Sequence, residues 1–243
     1  MIDLNDPIWS AIRSAGGCVD QQLRRLLAGE GDFRENMDEL AENLAHQLSW
    51  YDATAYVLPH LARLCETLKA EDKLYLVAQI GPAVAAESQV SLSPDTQAYQ
   101  EFHEGLAPLA QVARELLEHH TDQIKALPKD LPLFFSNSAL ALLWDQKHAY
   151  YLYLFAPWDE FPALCPECDW YEECMDFSLE EEPEFVTPGE LDEEGVWLQK
   201  LLIELGDQIL LPRLPYLYGT CTCPECGASG PLWEWIDRAF EED

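Results

Sequence analysis

The chain has 243 residues, enough for one large or two small domains, and 48% of them are hydrophobic, ample for a buried core. Its formal charge of −31, from 45 acids against 14 bases, repels nucleic-acid phosphates and anionic lipid, so neither is an expected partner. No apolar run reaches the about eighteen residues of a membrane span, and the opening Met1-Ile2-Asp3-Leu4-Asn5-Asp6 is acidic where a signal peptide is basic, so a cytoplasmic location is expected.

The first two-thirds reads as helix after helix. Residues 18–28 place Val19, Leu23, Leu26 and Leu27 on one face, with Gly29 as the stop. Cys18 and, further on, Cys65 fall on apolar faces, which predicts buried core thiols. Asp32 is placed to cap a second helix to about Leu48, whose stripe is Phe33, Met37, Leu40, Leu44 and Leu48. His46, near its end, reads as a hydrogen-bonding histidine, either behind a site's direct ligands or in the core. Asp52 is placed to cap a third helix to about Leu68, with Val57, Leu58, Leu61, Leu64 and Leu68 facing in and Pro59 predicting a kink. A fourth runs from about Glu71 to Glu87 through Leu74, Val77, Ile80 and Val84, with Pro82 inside it. Residues 96–126 predict one long helix or two broken near Gly105 and Pro108, and residues 136–154 a largely buried helix.

Composition then shifts, which divides the chain into a helical domain over 1–156 and an acidic, cysteine-containing region over 157–243. Residues 157–195 hold five prolines and the run Glu180-Glu181-Glu182-Pro183-Glu184, and read as a long insert whose acidic stretch is mobile. A helical pattern returns over 191–210, and a short aromatic helix, Leu232-Trp233-Glu234-Trp235-Ile236, ends the chain. Charge is uneven as well. Residues 1–147 carry 22 acids and 11 bases, residues 148–243 carry 23 acids and 3 bases.

Two copies of one tetrapeptide carry the chemistry. Cys165-Pro166-Glu167-Cys168 and Cys223-Pro224-Glu225-Cys226 stand 54 residues apart. A two-residue gap turns the chain back far enough to bring two sulfurs to one ion, and proline pre-sets the turn. Gly227 follows the second copy, where a left-handed residue is often wanted, and Asp169 holds the matching place after the first. The preferred reading is one Zn2+ held by Cys165, Cys168, Cys223 and Cys226, a closed structural shell without an open position. The alternatives are two three-sulfur clusters, Cys165 with Cys168 and Cys174 and Cys221 with Cys223 and Cys226, and, against the lack of a visible export signal and the acidic surroundings, disulfides or a redox dithiol.

Residues 41–66, Ala-Glu-Asn-Leu-Ala-His-Gln-Leu-Ser-Trp-Tyr-Asp-Ala-Thr-Ala-Tyr-Val-Leu-Pro-His-Leu-Ala-Arg-Leu-Cys-Glu, carry a resemblance. They resemble a segment of bacterial HEAT-repeat-like proteins, in which a helix ends in His-Gln, a Tyr-x-Ala-Thr turn follows, and the next helix has an early proline. The matching residues are His46, Gln47, Tyr51, Ala53, Thr54, Pro59 and Leu61, and the likeness extends loosely over residues 20–90. It implies an all-α fold, an α-α superhelix, to which the zinc knuckles are an addition. It implies a protein-binding scaffold, in some cases an immunity partner of a toxin, and carries over no catalytic residue.

The residues themselves point the same way. None of the six histidines forms a His-Glu-x-x-His motif, and neither a Gly-rich phosphate loop nor a Gly-x-Ser-x-Gly elbow occurs. The expected function is a non-enzymatic binding protein that engages a basic protein through its acidic C-terminal region, with Trp158, Trp170 and Tyr171 as available aromatic anchors. The alternatives are a metal-dependent enzyme with a second, open metal position near Cys174 and Cys221, and a structural subunit of a larger complex.

Overall fold

The computed structural model describes residues 1–90, 92–128, 131–155, 161–172, 185–208 and 210–241. They fall into two units, Met1–Tyr150 and Tyr151–Asp243, with the boundary inside a helix.

In the first unit, apolar stripes and local caps set the helices. Helix α1 (Val19–Ala28) buries Val19, Leu23 and Leu26 and stops at Gly29. Helix α2 (Phe33–Ala45) begins at Asp32, whose carboxylate accepts the N–H groups of Arg34 at 2.9 Å and Glu35 at 3.1 Å. It ends three residues before the expected Leu48, because Gln47 and Leu48 take left-handed backbone at φ 52° and 57°. The Thr54 hydroxyl donates to the freed Leu44 carbonyl at 3.0 Å, in a fully buried position. The Thr54 of the turn motif therefore finishes the preceding helix.

Helix α3 (Ala53–Cys65) starts where expected, but Asp52 does not cap it. Its carboxylate is drawn instead to Arg13, with Nε at 3.0 Å. Helix α4 (Ala70–Ala85) continues through Pro82 as α3 does through Pro59. Helix α5 (Gln97–His119) starts at Thr96 and runs unbroken through Gly105 and Pro108, so residues 96–126 hold two helices with the break at His120 and not at Gly105 or Pro108. A one-turn helix, α6 (Thr121–Lys125), follows. The single helix expected over 136–154 is two, α7 (Leu131–Leu143) and α8 (Gln146–Phe155), because Asp145 accepts the His148 N–H at 2.8 Å and opens a new helix. Cys65 is buried as expected, and burial pushes its thiol up to about 12. Cys18 is exposed, because it precedes the first turn of α1 and does not lie on its inner face.

Contacts in this unit skip along the chain. Helix α3 packs on α1 and α5 and α4 packs on α2 and α7, while α1–α2, α2–α3, α3–α4, α4–α5 and α5–α7 also pack on one another. Helices α3 and α5 approach closely at Gly105. A Cβ on Gly105 would lie 2.6 Å from the Leu58 carbonyl carbon and 2.6 Å from the Pro59 nitrogen. Pro59 has no N–H to point outward at this crossing, so backbone meets backbone with nothing between.

The second unit departs from the all-α expectation. It holds two small antiparallel sheets, β1 (Ala163–Leu164) with β2 (Tyr171–Glu172), and β3 (Val186–Thr187) with β4 (Thr220–Thr222) and β5 (Ser229–Pro231). Strands of two or three residues are too short to show an alternating pattern, which is why the sequence does not announce them. Among the described residues the unit also holds the end of α8 and three further helices, α9 (Glu193–Leu205), capped by Asp192 at 2.8 Å from the Gly195 nitrogen, α10 (Leu214–Leu217) and α11 (Leu232–Glu241). Helix α11 packs on β1, β4 and β5, and buries Leu232, Trp235 and Ile236. The chain is thus mostly helical, with no helix among the described residues long and apolar enough to cross a membrane. The Glu180–Glu184 run lies outside the described residues.

Gly105→Ala is expected to destabilise the first unit by about 1–3 kcal/mol, because the neighbouring atoms are backbone and cannot swing aside. Chemical denaturation followed by circular dichroism measures it, and wild-type stability would contradict the close approach.

Candidate metal centre

The two cysteine tetrapeptides sit on equivalent turns. Cys165–Cys168 joins β1 to β2, and Cys223–Cys226 joins β4 to β5. In the first, the Cys165 N–H donates to the Trp170 carbonyl at 2.8 Å and the Asp169 N–H to the Cys165 carbonyl at 3.2 Å. In the second, the Cys223 N–H donates to the Ala228 carbonyl at 2.8 Å and the Gly227 N–H to the Cys223 carbonyl at 3.0 Å. The residue after each final cysteine is left-handed, Asp169 at φ 55° and Gly227 at φ 75°. Glycine takes that conformation at little cost, and a residue with a Cβ does not.

Arg238 on α11 supplies what the first turn lacks. One guanidinium nitrogen donates to the Asp169 carboxylate at 2.7 Å, and the other to the Pro166 carbonyl at 3.2 Å. The ion pair by itself is worth little, since the Asp169 side chain is 70% exposed. Its value is positional, because it grips the turn at both ends. Sequence reasoning missed Arg238. The signal available was scarcity, as only Lys200, Arg213 and Arg238 are basic after Lys147.

The four sulfurs predicted from sequence, Cys165, Cys168, Cys223 and Cys226, all lie within 4.8 Å of one another. Cys165 and Cys226 are 3.6 Å apart, as are Cys168 and Cys223. A tetrahedral shell with metal–sulfur bonds of about 2.3 Å needs sulfur–sulfur edges of about 3.8 Å, so the set is compatible with a metal site. A disulfide needs about 2.05 Å. Cys221 lies apart from the four, buried on β4, and burial pushes its thiol up to about 11. Cys174 lies outside the described residues. His46, at the end of α2, is partly exposed and lies against Glu42, so it is not a core histidine. Trp170 is half-buried with its ring edge-on to Phe185 at 5.5 Å, Trp158 lies outside the described residues, and nothing is described of the Tyr171 side chain.

The thiols are electrostatically unequal. Burial works against the Cys223 thiolate, but the N–H groups of Cys226 and Glu225 and the thiols of Cys168 and Cys226 favour it, bringing it down to about 7. Cys168 goes the other way, to about 12, as desolvation and the three neighbouring sulfurs outweigh the Trp170 N–H that supports its thiolate. Cys226 is raised too. The Ala228 N–H favours its thiolate, and desolvation with the sulfurs of Cys165 and Cys223 outweighs it. A cation bound here replaces protons.

No family model, no curated protein and no solved structure matches this chain.

Zn2+ affinity is expected to fall as pH falls. Cys168 and Cys226 are protonated near neutrality and must each release a proton, so the slope is at least about 100-fold per pH unit. It steepens below about 7, where Cys223 also takes up a proton. Competition with a chromogenic chelator across pH 6 to 8, a range of about two units around neutrality, reads this slope, and a flat profile contradicts the assignment. In the same assay Arg238→Ala is expected to weaken Zn2+ binding about tenfold or more, as loss of a group that orients a ligand does.

Proposed function

We propose that Cys165, Cys168, Cys223 and Cys226 bind one structural Zn2+, and that the chain is a non-enzymatic, HEAT-like helical scaffold whose acidic C-terminal region binds a basic protein. The convergence of four sulfurs from two hairpins within 4.8 Å carries the metal assignment. Zinc suits four soft ligands in tetrahedral array, and a shell of four thiolates leaves no position for a reacting water. The metal ties β1–β2 to β4–β5, elements whose strands are too short to be stable alone. A reducing cytoplasm keeps the thiols available.

The row-wise contacts of the first unit favour the α-α superhelix. In stacked helix pairs each helix meets its counterparts one pair before and one pair after, as α3 meets α1 and α5, and α4 meets α2 and α7. The resemblance around Tyr51-Asp52-Ala53-Thr54 falls on the turn between two such helices.

Charge favours the partner. Residues 148–243 carry 23 acids against 3 bases, and of those bases Arg213 is buried and Arg238 is engaged with Asp169. Glu167, Glu190, Asp192, Glu193, Glu204 and Glu225 are exposed. Such a field speeds encounter with a cationic protein and masks the surface that protein uses for phosphate. An inhibitor or immunity protein for a cationic toxin is one concrete form.

Purified chain is expected to carry one zinc per molecule by elemental analysis. Chelation should abolish the near-ultraviolet circular dichroism of Trp233 and Trp235 and leave most of the helical signal. Affinity capture from the native host should return a basic protein that elutes as salt rises. Acidic partners alone, or capture indifferent to salt, would remove the electrostatic half of the proposal and leave the metal half standing.

A further inference from the structure

Each of the two short sulfur contacts joins an exposed cysteine of one hairpin to a buried cysteine of the other. Cys226 is exposed and its neighbour Cys165 is buried. Cys168 is exposed and its neighbour Cys223 is buried. Both contacts, at 3.6 Å, cross between hairpins. We propose that these are two oxidation sites, Cys165–Cys226 and Cys168–Cys223, through which a peroxide replaces the metal staple with a covalent one.

The chemistry balances within each pair. One sulfur of the pair, as its thiolate, attacks the peroxide oxygen, forms an S–O bond and releases hydroxide as the O–O bond breaks. The other sulfur then attacks the oxidised one, forms the S–S bond and expels the second hydroxide. The pair gives up two electrons, and the two hydroxides take up two protons from the thiols or from solvent, so the peroxide is reduced to two waters. The sulfurs must close by about 1.5 Å to reach bonding distance.

The crossing decides the outcome. Disulfides within a tetrapeptide, Cys165–Cys168 and Cys223–Cys226, would let the hairpins separate once metal leaves. Crossed disulfides keep β1–β2 joined to β4–β5 through the loss. The starting state rests on the proposed metal site, whereas the pairing rests on sulfur positions alone.

Hydrogen peroxide is added to zinc-loaded and to chelator-treated full-length protein, remaining thiols are alkylated, and disulfide-linked peptides are mapped by mass spectrometry. The expected result in both samples is Cys165 linked to Cys226 and Cys168 linked to Cys223, with release of zinc from the loaded sample. In Cys226→Ser, Cys168–Cys223 alone is expected. Links within either tetrapeptide overturn the proposal, as does recovery of Cys168 and Cys226 as sulfinic acids beside reduced Cys165 and Cys223. Protein that never takes up zinc refutes the metal assignment, while its thiol map still decides this one.

Discussion

The second unit depends on bringing two hairpins, separated by 54 residues of chain, to one point. Neither hairpin is stable by its own hydrogen bonds, since their strands hold two or three residues each. Two forces act on them. Helix α11 packs on both with Leu232, Trp235 and Ile236 buried, and its Phe240 stacks on Tyr151 at 5.1 Å. The sulfurs meet at the tips. Burial alone is non-directional and tolerates sliding. Four thiols within 4.8 Å fix the register of the tips, because displacing either hairpin breaks every contact in the set together.

Charge makes that fixing harder and more specific. In a region with 23 acids and 3 bases, extra thiolates repel both the surrounding carboxylates and one another. The protein keeps Cys168 and Cys226 protonated and lets Cys223 ionise, so the sulfurs with raised thiols are the outer pair. A divalent cation relieves the repulsion that full ionisation would create. The scarce base Arg238 pairs with Asp169 and so shapes the first turn.

Much of this was legible in the residues. Apolar spacing of three and four located α1 to α5, and Asp32 marked a true cap. The tetrapeptides named the four converging cysteines, and Gly227 marked its left-handed turn. What failed has common causes. Asp52 is a good cap in isolation, but Arg13, 39 residues earlier, claims its carboxylate. Gly105 and Pro108 read as breakers because nothing local shows that Gly105 is needed for contact with Leu58 and Pro59. Asp145 hid inside an apolar run and split it. The hairpin strands escaped because they are too short to show a pattern, and β3 because its partner is distant, Val186 pairing with Cys221 and Thr187 with Thr220. Arg238 carries no motif, and its role exists only once α11 meets the first hairpin.

The two hairpins are equivalent in hydrogen bonding yet solve one backbone problem differently. Gly227 takes φ 75° unaided, whereas Asp169 takes φ 55° with an arginine attached. A glycine turn is permissive and keeps its shape for intrinsic reasons. An aspartate turn is strained by something on the order of 1 kcal/mol and persists only while its surroundings insist. The first hairpin is therefore conditional on α11, and α11 follows the second hairpin directly in sequence. Folding of the later segment completes the earlier one, so the four sulfurs are assembled as a set and not as two independent halves.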